Sequence, residues 1–180
     1  ISFRKNISHF YCEIAVIRIL EKNNNQANDI LRKALDEHKD CVRANILLGD
    51  ICETEEKFDE AISYWRKVEY QQPEYLGLVA SKILNAYQRK NMLNEGLSTL
   101  SGFYDLYKLK TLLSILYAAI MSNEGPKKAE TMARNELIQR PSLSALDQLF
   151  EAQAIGKTSG ISNIELIQQT IKNAIGDRRF

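Results

Sequence analysis

The chain contains SHFYCEIAVIRILEKNNNQANDILRKALDEHKDC, residues 8–41, and directly after it VRANILLGDICETEEKFDEAISYWRKVEYQQPEY, residues 42–75. A shift of 34 residues aligns the two segments, and Ala15 then falls on Gly49. Two helices that cross closely need small side chains where they touch. A fixed period with small residues at fixed offsets therefore indicates a helix–turn–helix unit that stacks into a solenoid.

The same alignment places Ala27 on Ala61, and Pro73 closes the second segment where a helix should stop. These features resemble the tetratricopeptide repeat (TPR), whose period is 34 residues. Apolar residues recur at helical spacing along the rest of the chain, and no segment alternates as a strand does. We therefore predict an all-α chain: a right-handed superhelical solenoid of about four TPR repeats with a C-terminal helical cap.

Two less regular repeats follow the first pair. Leu84 and Phe103 occupy positions of the third repeat that are small in the first, and Gly125-Pro126 indicates the turn of the fourth. The predicted divisions are a lead-in, 1–7; repeats at 8–41, 42–75, 77–109 and 110–141; capping helices within 142–176, at about Ser142 to Ala154 and Ser162 to Ile175; and the start of a linker, 177–180.

Composition excludes several classes of protein. The net charge is +1, so no overall field attracts nucleic acid, and no stretch of about 20 apolar residues is present to span a membrane. The cysteines, Cys12, Cys41 and Cys52, form no C-x-x-C pair. Cys41 and Cys52 should share a helix and lie about 16 Å apart, too far for a disulfide. We expect buried, reduced packing residues.

Catalytic and metal-binding patterns are absent from the sequence. His9 and Glu13 are four residues apart, but two ligands make a poor metal site. There is no phosphate-binding glycine loop and no Ser/His/Asp pattern, so we predict no catalytic residue, no cofactor and no metal ligand in this chain. The acidic stretch at residues 53–57 is interpreted as a solvated turn.

The groove formed by the first helix of each repeat is the predicted functional surface. Repeat positions 2, 5, 9, 12 and 13 should face it, and an amphipathic helix or extended segment of a partner would fit. A preceding repeat that covers Val16, Ile19 and Leu20 is an open alternative. The candidate residues are His9, Val16, Arg43, Ile46, Asp50, Glu53, Leu78, Ser81, Asn85, Arg89 and Met121.

Several stretches carry a more specific resemblance. HFYCEIA (9–15), CVRANILLGDI (41–51), RNELIQRPSL (134–143) and the terminal RRF (178–180) resemble the lipopolysaccharide assembly protein B family, also called LapB or YciM. The resemblance implies a Gram-negative inner-membrane protein with an N-terminal membrane helix and cytoplasmic repeats. It also implies a C-terminal domain that binds one metal through four cysteines in two C-x-x-C pairs.

The chain departs from that family in two respects. It has no membrane helix and stops before the four metal cysteines, so we expect a soluble fragment that belongs to the cytoplasmic face of the inner membrane. Family members are adaptors that help the membrane protease FtsH degrade the LpxC deacetylase, which commits precursors to lipid A.

The resemblance therefore implies a non-enzymatic adaptor that regulates lipopolysaccharide synthesis by docking protease and substrate together, without nucleic acid. The alternative is a generic TPR scaffold that gathers lipopolysaccharide-synthesis enzymes without directing proteolysis. We also expect self-association through exposed apolar helix faces, such as the one that carries Phe10 and Ile17.

Overall fold

The computed structural model describes residues 2–157, 167–168 and 170–172, and all regular structure in this part of the chain is helical. Its residues fall into two compact units that divide after Leu112. The helices are α1 (Ser2–Leu20), α2 (Asn24–Glu37), α3 (Val42–Thr54), α4 (Phe58–Arg66), α5 (Val68–Gln71), α6 (Leu76–Arg89), α7 (Leu93–Tyr107), α8 (Lys110–Asn123), α9 (Pro126–Gln139) and α10 (Leu143–Gly156), with a 3-10 turn at Pro73–Tyr75.

The same tight turn joins the two helices of each of the first three repeats. Lys22, Glu56 and Asn91 hold its left-handed position, with φ of 60°, 59° and 58°. The next backbone N–H then reaches back to a carbonyl of the preceding helix, which satisfies a group that the helix end leaves unpaired. These bonds run from Asn23 to Arg18 (2.8 Å), from Lys57 to Cys52 (2.9 Å) and from Met92 to Tyr87 (2.9 Å).

Local sequence signals set several helix starts. The Asn23 side chain accepts a 3.2 Å hydrogen bond from the Gln26 backbone N–H and caps α2. Ser142 caps α10 in the same way. The predicted turn at Gly125-Pro126 lies between α8 and α9, where glycine takes a φ of 89° and proline begins the helix.

The core of the first two repeats is built around small residues. Ala15, Ala27 and Ala34 are completely buried in one apolar cluster with residues of α3. In the second repeat, Gly49 faces the fully buried Trp65 of α4, and a Cβ added to that glycine would lie within 2.8 Å of three indole atoms. The predicted small position on α3 is therefore required by the indole that covers it.

In the third repeat the glycine at the helix crossing lies on the second helix and not on the first. Leu84 of α6 occupies the position of Gly49, and Gly96 of α7 occupies the position of Ala61. A Cβ on Gly96 would lie 2.9 Å from Cβ of Tyr87 and 3.1 Å from Cδ1 of Leu84. A large residue on one helix is thus accommodated by a glycine on the other. The packing of the third repeat is therefore more regular than its sequence pattern indicates.

The second unit packs α8, α9 and α10 around its own apolar cluster. Ala129, Ala133 and Leu137 of α9 are completely buried there. Tyr117 of α8 donates a 2.7 Å hydrogen bond from its hydroxyl to the Gln148 backbone carbonyl of α10. This bond satisfies a buried phenol and fixes α10 against α8.

The predicted all-α, TPR-type fold is confirmed over the described residues. α1 begins at Ser2, ahead of the predicted repeat start at residue 8, so residues 2–7 extend the first helix. Most of the second capping stretch, Ser162 to Ile175, and the predicted linker at 177–180 lie outside the described residues. None of the described helices combines the length and apolar character that crossing a membrane requires.

Candidate functional site

Two open clefts adjoin in the first unit, beside the turns that follow α1 and α3. The first cleft encloses about 380 Å³ and the second about 610 Å³, and they share Thr54. The first cleft is lined by Ile19, Lys22, Asn24, Asp50, Ile51 and Thr54. The second cleft is lined by Glu53, Thr54, Glu56, Phe58, Asn85, Gln88 and Arg89.

Arg89 dominates the chemistry of the second cleft. Its guanidinium lies 3.2 Å from a carboxylate oxygen of Glu56 and 5.3 Å from the ring centroid of Phe58. Both charged side chains are largely exposed, so this ion pair contributes little to stability. Glu53 and Asn85 line the same cleft. The second cleft therefore brings together a cation, carboxylates, an amide and an aromatic ring.

Asp50 of the first cleft is held by bonds within the protein. One of its carboxylate oxygens accepts hydrogen bonds from the Trp65 indole N–H, at 3.1 Å, and from the Lys82 ammonium, at 2.6 Å. The indole N–H also lies 3.3 Å from the Ile46 backbone carbonyl. Asp50 thus ties the buried tryptophan of its own repeat to α6 of the next repeat, which is a structural role.

Arg43 likewise pairs with another side chain of this chain. Its guanidinium donates two hydrogen bonds to the two carboxylate oxygens of Glu13, the second at 3.1 Å, and so joins α3 to α1. These hydrogen bonds hold the pKa of the Glu13 carboxyl below its usual value. The pair lies outside both clefts.

The predicted groove residues separate into three groups. Glu53, Asn85 and Arg89 meet in the second cleft, and Asp50 lines the first. The second group lies on the first unit outside both clefts, and comprises exposed His9, Leu78 and Ser81, half-buried Val16 and Ile46, and paired Arg43. Met121 forms the third group, because it packs against the apolar cluster of the second unit.

Sequence reasoning missed the turn residues that complete the clefts. Glu56 belongs to the acidic stretch that was interpreted as a solvated turn, and Phe58 directly follows that stretch. Both residues line the second cleft. Lys22, at the equivalent place in the first repeat, lines the first cleft. The signal was the 34-residue spacing of Lys22 and Glu56, which places both at the same turn position.

Cys12, Cys41 and Cys52 are not the four cysteines that the family resemblance implies for a C-terminal metal domain. All three are free and buried. Cys12 and Cys41 are neighbours, with their Sγ atoms 3.8 Å apart, but the described residues include no group of three or more Cys, His, Asp or Glu side chains placed to hold a metal ion.

The apolar face of α1 that was predicted to support self-association is exposed. Phe3, Phe10, Ile17 and Leu20 lie along it, and each keeps more than half of its surface accessible. Their spacing places them on one side of the helix. Self-association through this face remains a prediction.

The chain is similar to known proteins in sequence and in structure. No family model matches the chain. It is 22% identical over 173 residues to Lipopolysaccharide assembly protein B of Haemophilus influenzae, which covers 96% of this chain and 43% of the relative. The Escherichia coli K12 protein of that name is 20% identical over 148 residues, covering 82% and 38%. The chain thus spans less than half the length of these relatives.

Solved structures share this fold, and two of them serve as examples. One is Pseudomonas aeruginosa pilF, with a TM-score of 0.55 and 18% identity, covering 86% of this chain and 71% of pilF. The other is the N-terminal domain of stress-induced protein-1 from C. elegans, with a TM-score of 0.54 and 13% identity, covering 64% and 96%. The predicted resemblance is confirmed: the chain has a TPR fold, and its sequence is similar over most of its length to Lipopolysaccharide assembly protein B.

Proposed function

We propose that this chain is a non-enzymatic adaptor that regulates lipopolysaccharide biosynthesis by holding two other proteins together. The TPR fold supports the proposal because stacked repeats present extended binding surfaces. Similarity to proteins named Lipopolysaccharide assembly protein B supports the cellular process. The observation that carries the proposal is the second cleft, an open cavity of about 610 Å³ between successive repeats.

The second cleft suits a partner segment with an acidic group and an apolar side chain. An incoming carboxylate would replace Glu56 beside Arg89, at little cost because the existing pair is exposed. An apolar side chain of the partner would pack on Phe58, and Asn85 would hydrogen-bond to its backbone. Arg89 is therefore the expected hot spot, since arginine is enriched among residues that dominate binding energy.

Asp50 and Arg43 have a different role in this proposal. Both are engaged in ion pairs between repeats, so they set the spacing of the helices that form the clefts. Their substitution would act on binding indirectly, through the shape of the surface. Arg89, Asn85 and Glu53 would act directly.

The adaptor works by tethering. In the proposed role one surface holds the LpxC deacetylase and another holds the membrane protease FtsH, as the family resemblance suggests. Binding both partners at once raises their effective mutual concentration to about millimolar. In this proposal the chain contributes binding surfaces alone, without a catalytic group, a cofactor or nucleic acid. The proposed site of action is the cytoplasmic face of a Gram-negative inner membrane.

The test is direct binding of the chain to purified LpxC and, separately, to the cytoplasmic part of FtsH, by isothermal titration calorimetry. We expect micromolar or tighter binding to at least one of them, and a loss of about tenfold in affinity for Arg89→Ala. Arg66→Ala is the matched control, because Arg66 is an exposed arginine of α4 outside both clefts. Absence of binding to both proteins, or equal affinities for the two variants, contradicts the proposal.

Turnover of LpxC distinguishes an adaptor from a scaffold that does not direct proteolysis. In cells whose full-length protein carries Arg89→Ala, the adaptor model predicts a longer half-life for the deacetylase. The scaffold model predicts an unchanged half-life together with reduced co-purification of lipopolysaccharide-synthesis enzymes. The Arg66→Ala strain is again the control.

A further inference from the structure

Two cysteines meet in the core of the first unit. Cys12 lies on α1, and Cys41 is the residue immediately before α3. Their Sγ atoms are 3.8 Å apart, both thiols are free, and both residues belong to the same buried cluster. The disulfide bond length is about 2.05 Å, so the two atoms need to approach by about 1.8 Å to form one.

The surroundings of the pair make one thiol more reactive than the other. The Cys12 thiol is the largest influence on Cys41 and lowers its pKa. The completely buried Ser8 also lowers the pKa of the Cys41 thiol through its side-chain hydroxyl, which has no other hydrogen-bond partner among the described residues. Cys41 also sits at the N-terminus of α3, where the helix dipole favours negative charge. Burial, by contrast, raises the pKa of Cys52.

We propose that Cys12 and Cys41 form a reversible disulfide when a small hydroperoxide reaches them. The thiols are 0% and 3% exposed, so an oxidant close to the size of water, such as hydrogen peroxide, is favoured over a bulky disulfide like oxidised glutathione. This modification site is independent of the proposed adaptor function, because it rests on the core of the repeats and not on the clefts.

The reaction takes place in two balanced steps. The Cys41 thiolate attacks one oxygen of hydrogen peroxide; an S–O bond forms, the O–O bond breaks, and the hydroxide that leaves becomes water with the proton released by the thiol. The Cys12 sulfur then attacks the sulfur of the Cys41 sulfenic acid. The S–S bond forms, the S–O bond breaks, and a second water leaves with the Cys12 proton. Two thiols are oxidised by two electrons, and the peroxide is reduced to two waters.

The bridge would fasten the first repeat to the second. It would join α1 to the start of α3 beside the Glu13–Arg43 ion pair, which already connects the same two helices. A covalent link across the segment from residue 12 to residue 41 restricts the unfolded chain and raises the melting temperature of this region. A dithiol reductant would reverse it by thiol–disulfide exchange.

The experiment oxidises the native, fully reduced chain with hydrogen peroxide, at a dose already shown to oxidise the same chain in denaturant. Samples are denatured in iodoacetamide and analysed by intact mass and peptide mapping. We expect a monomeric product that has lost two hydrogens, is alkylated only at Cys52, and regains three alkylation sites after reduction. Its tryptic map contains the Cys12 peptide linked to the Cys41 peptide.

Variants identify the partners. Cys52→Ala should form the bridge as the natural chain does, whereas Cys12→Ala should instead accumulate a sulfenic acid at Cys41 that reacts with dimedone. Three results would each overturn the proposal. They are three alkylatable cysteines in the native chain at that dose, a bridge that includes Cys52, and overoxidised Cys41 without a bridge in the natural chain. The measurement on the natural chain decides the matter even if a variant fails to fold.

Discussion

The helix crossings of the second and third repeats solve one packing problem in opposite ways. In the second repeat the glycine is on the first helix, and Gly49 makes room for the Trp65 indole of the helix that follows. In the third repeat the glycine is on the second helix, and Gly96 makes room for Leu84 and Tyr87. The total volume at a crossing is therefore constrained more tightly than the residue at any one position, as expected for a close-packed interior.

The largest expected effect comes from filling the second-repeat crossing. Gly49→Leu places its Cβ within 2.8 Å of three indole atoms, and Trp65 is completely buried, so the helices must separate. Overpacking of this kind costs about 1–3 kcal/mol in the free energy of unfolding. Urea denaturation followed by circular dichroism measures the loss as a lower midpoint.

The control for this substitution is Gly102→Leu. Gly102 is also helical and exposed, and a Cβ added there meets nothing within 4 Å. Because leucine is the better helix former, the control should keep or slightly raise the midpoint. If both variants had the same midpoint, the close approach of α3 and Trp65 would be wrong.

A smaller effect is expected at the third-repeat crossing. Gly96→Ala places a Cβ 2.9 Å from that of Tyr87, so we expect a net loss of about 1 kcal/mol after the gain in helix propensity is subtracted. Gly102→Ala on the same helix gains propensity without a clash and should stabilise the chain by about 0.5–1 kcal/mol.

A double-mutant cycle tests whether Gly96 makes room for Leu84 at the crossing. Leu84→Ala removes one of the two side chains that an alanine at Gly96 would meet. Gly96→Ala should therefore cost less in the Leu84→Ala background, by at least about 0.5 kcal/mol. Strictly additive losses in urea denaturation would show that the two positions do not share the crossing.

The two helix crossings also show how far the sequence could predict the fold. The 34-residue period was sufficient for the helix pairs, because helical periodicity and small residues at fixed offsets are local signals. Leu84 made the third repeat look degenerate, since its compensation by Gly96 depends on a contact across the crossing. Examining one sequence position at a time does not reveal that two helices share the volume at their crossing.

The site was less predictable for a related reason. Repeat position alone predicted that Glu53, Asn85 and Arg89 share one surface, and in the structure all three line the second cleft. Phe58 and Glu56 were missed because their part in the cleft depends on the left-handed turn between α3 and α4. Cys12 and Cys41 were interpreted as packing residues only. They are 29 residues apart in sequence, so the 3.8 Å contact between their Sγ atoms could not be predicted from the pattern.

The smallest predicted effect concerns how the repeats are fastened to each other. Asp50 pairs directly with Lys82 and so joins the second repeat to the third, and it also accepts a hydrogen bond from the buried Trp65 indole. Glu13 and Arg43 join the first repeat to the second at the surface. Arg43 lowers the pKa of Glu13 from its ordinary value of 4.5, so Arg43→Met should return it toward that value. Carboxyl-detected NMR titration measures the change.

The sign of the pH dependence follows from that lowered pKa. The folded state holds the Glu13 proton less tightly than the unfolded state does, so the Glu13–Arg43 pair stabilises the fold above the ordinary pKa. The contribution disappears as the pH falls through the lowered, folded value, and salt should weaken it because the pair is exposed. Arg89→Met, at the exposed Arg89–Glu56 pair, should leave the Glu13 titration unchanged. If Arg43→Met also left it unchanged, the hydrogen bonds between Glu13 and Arg43 would be wrong.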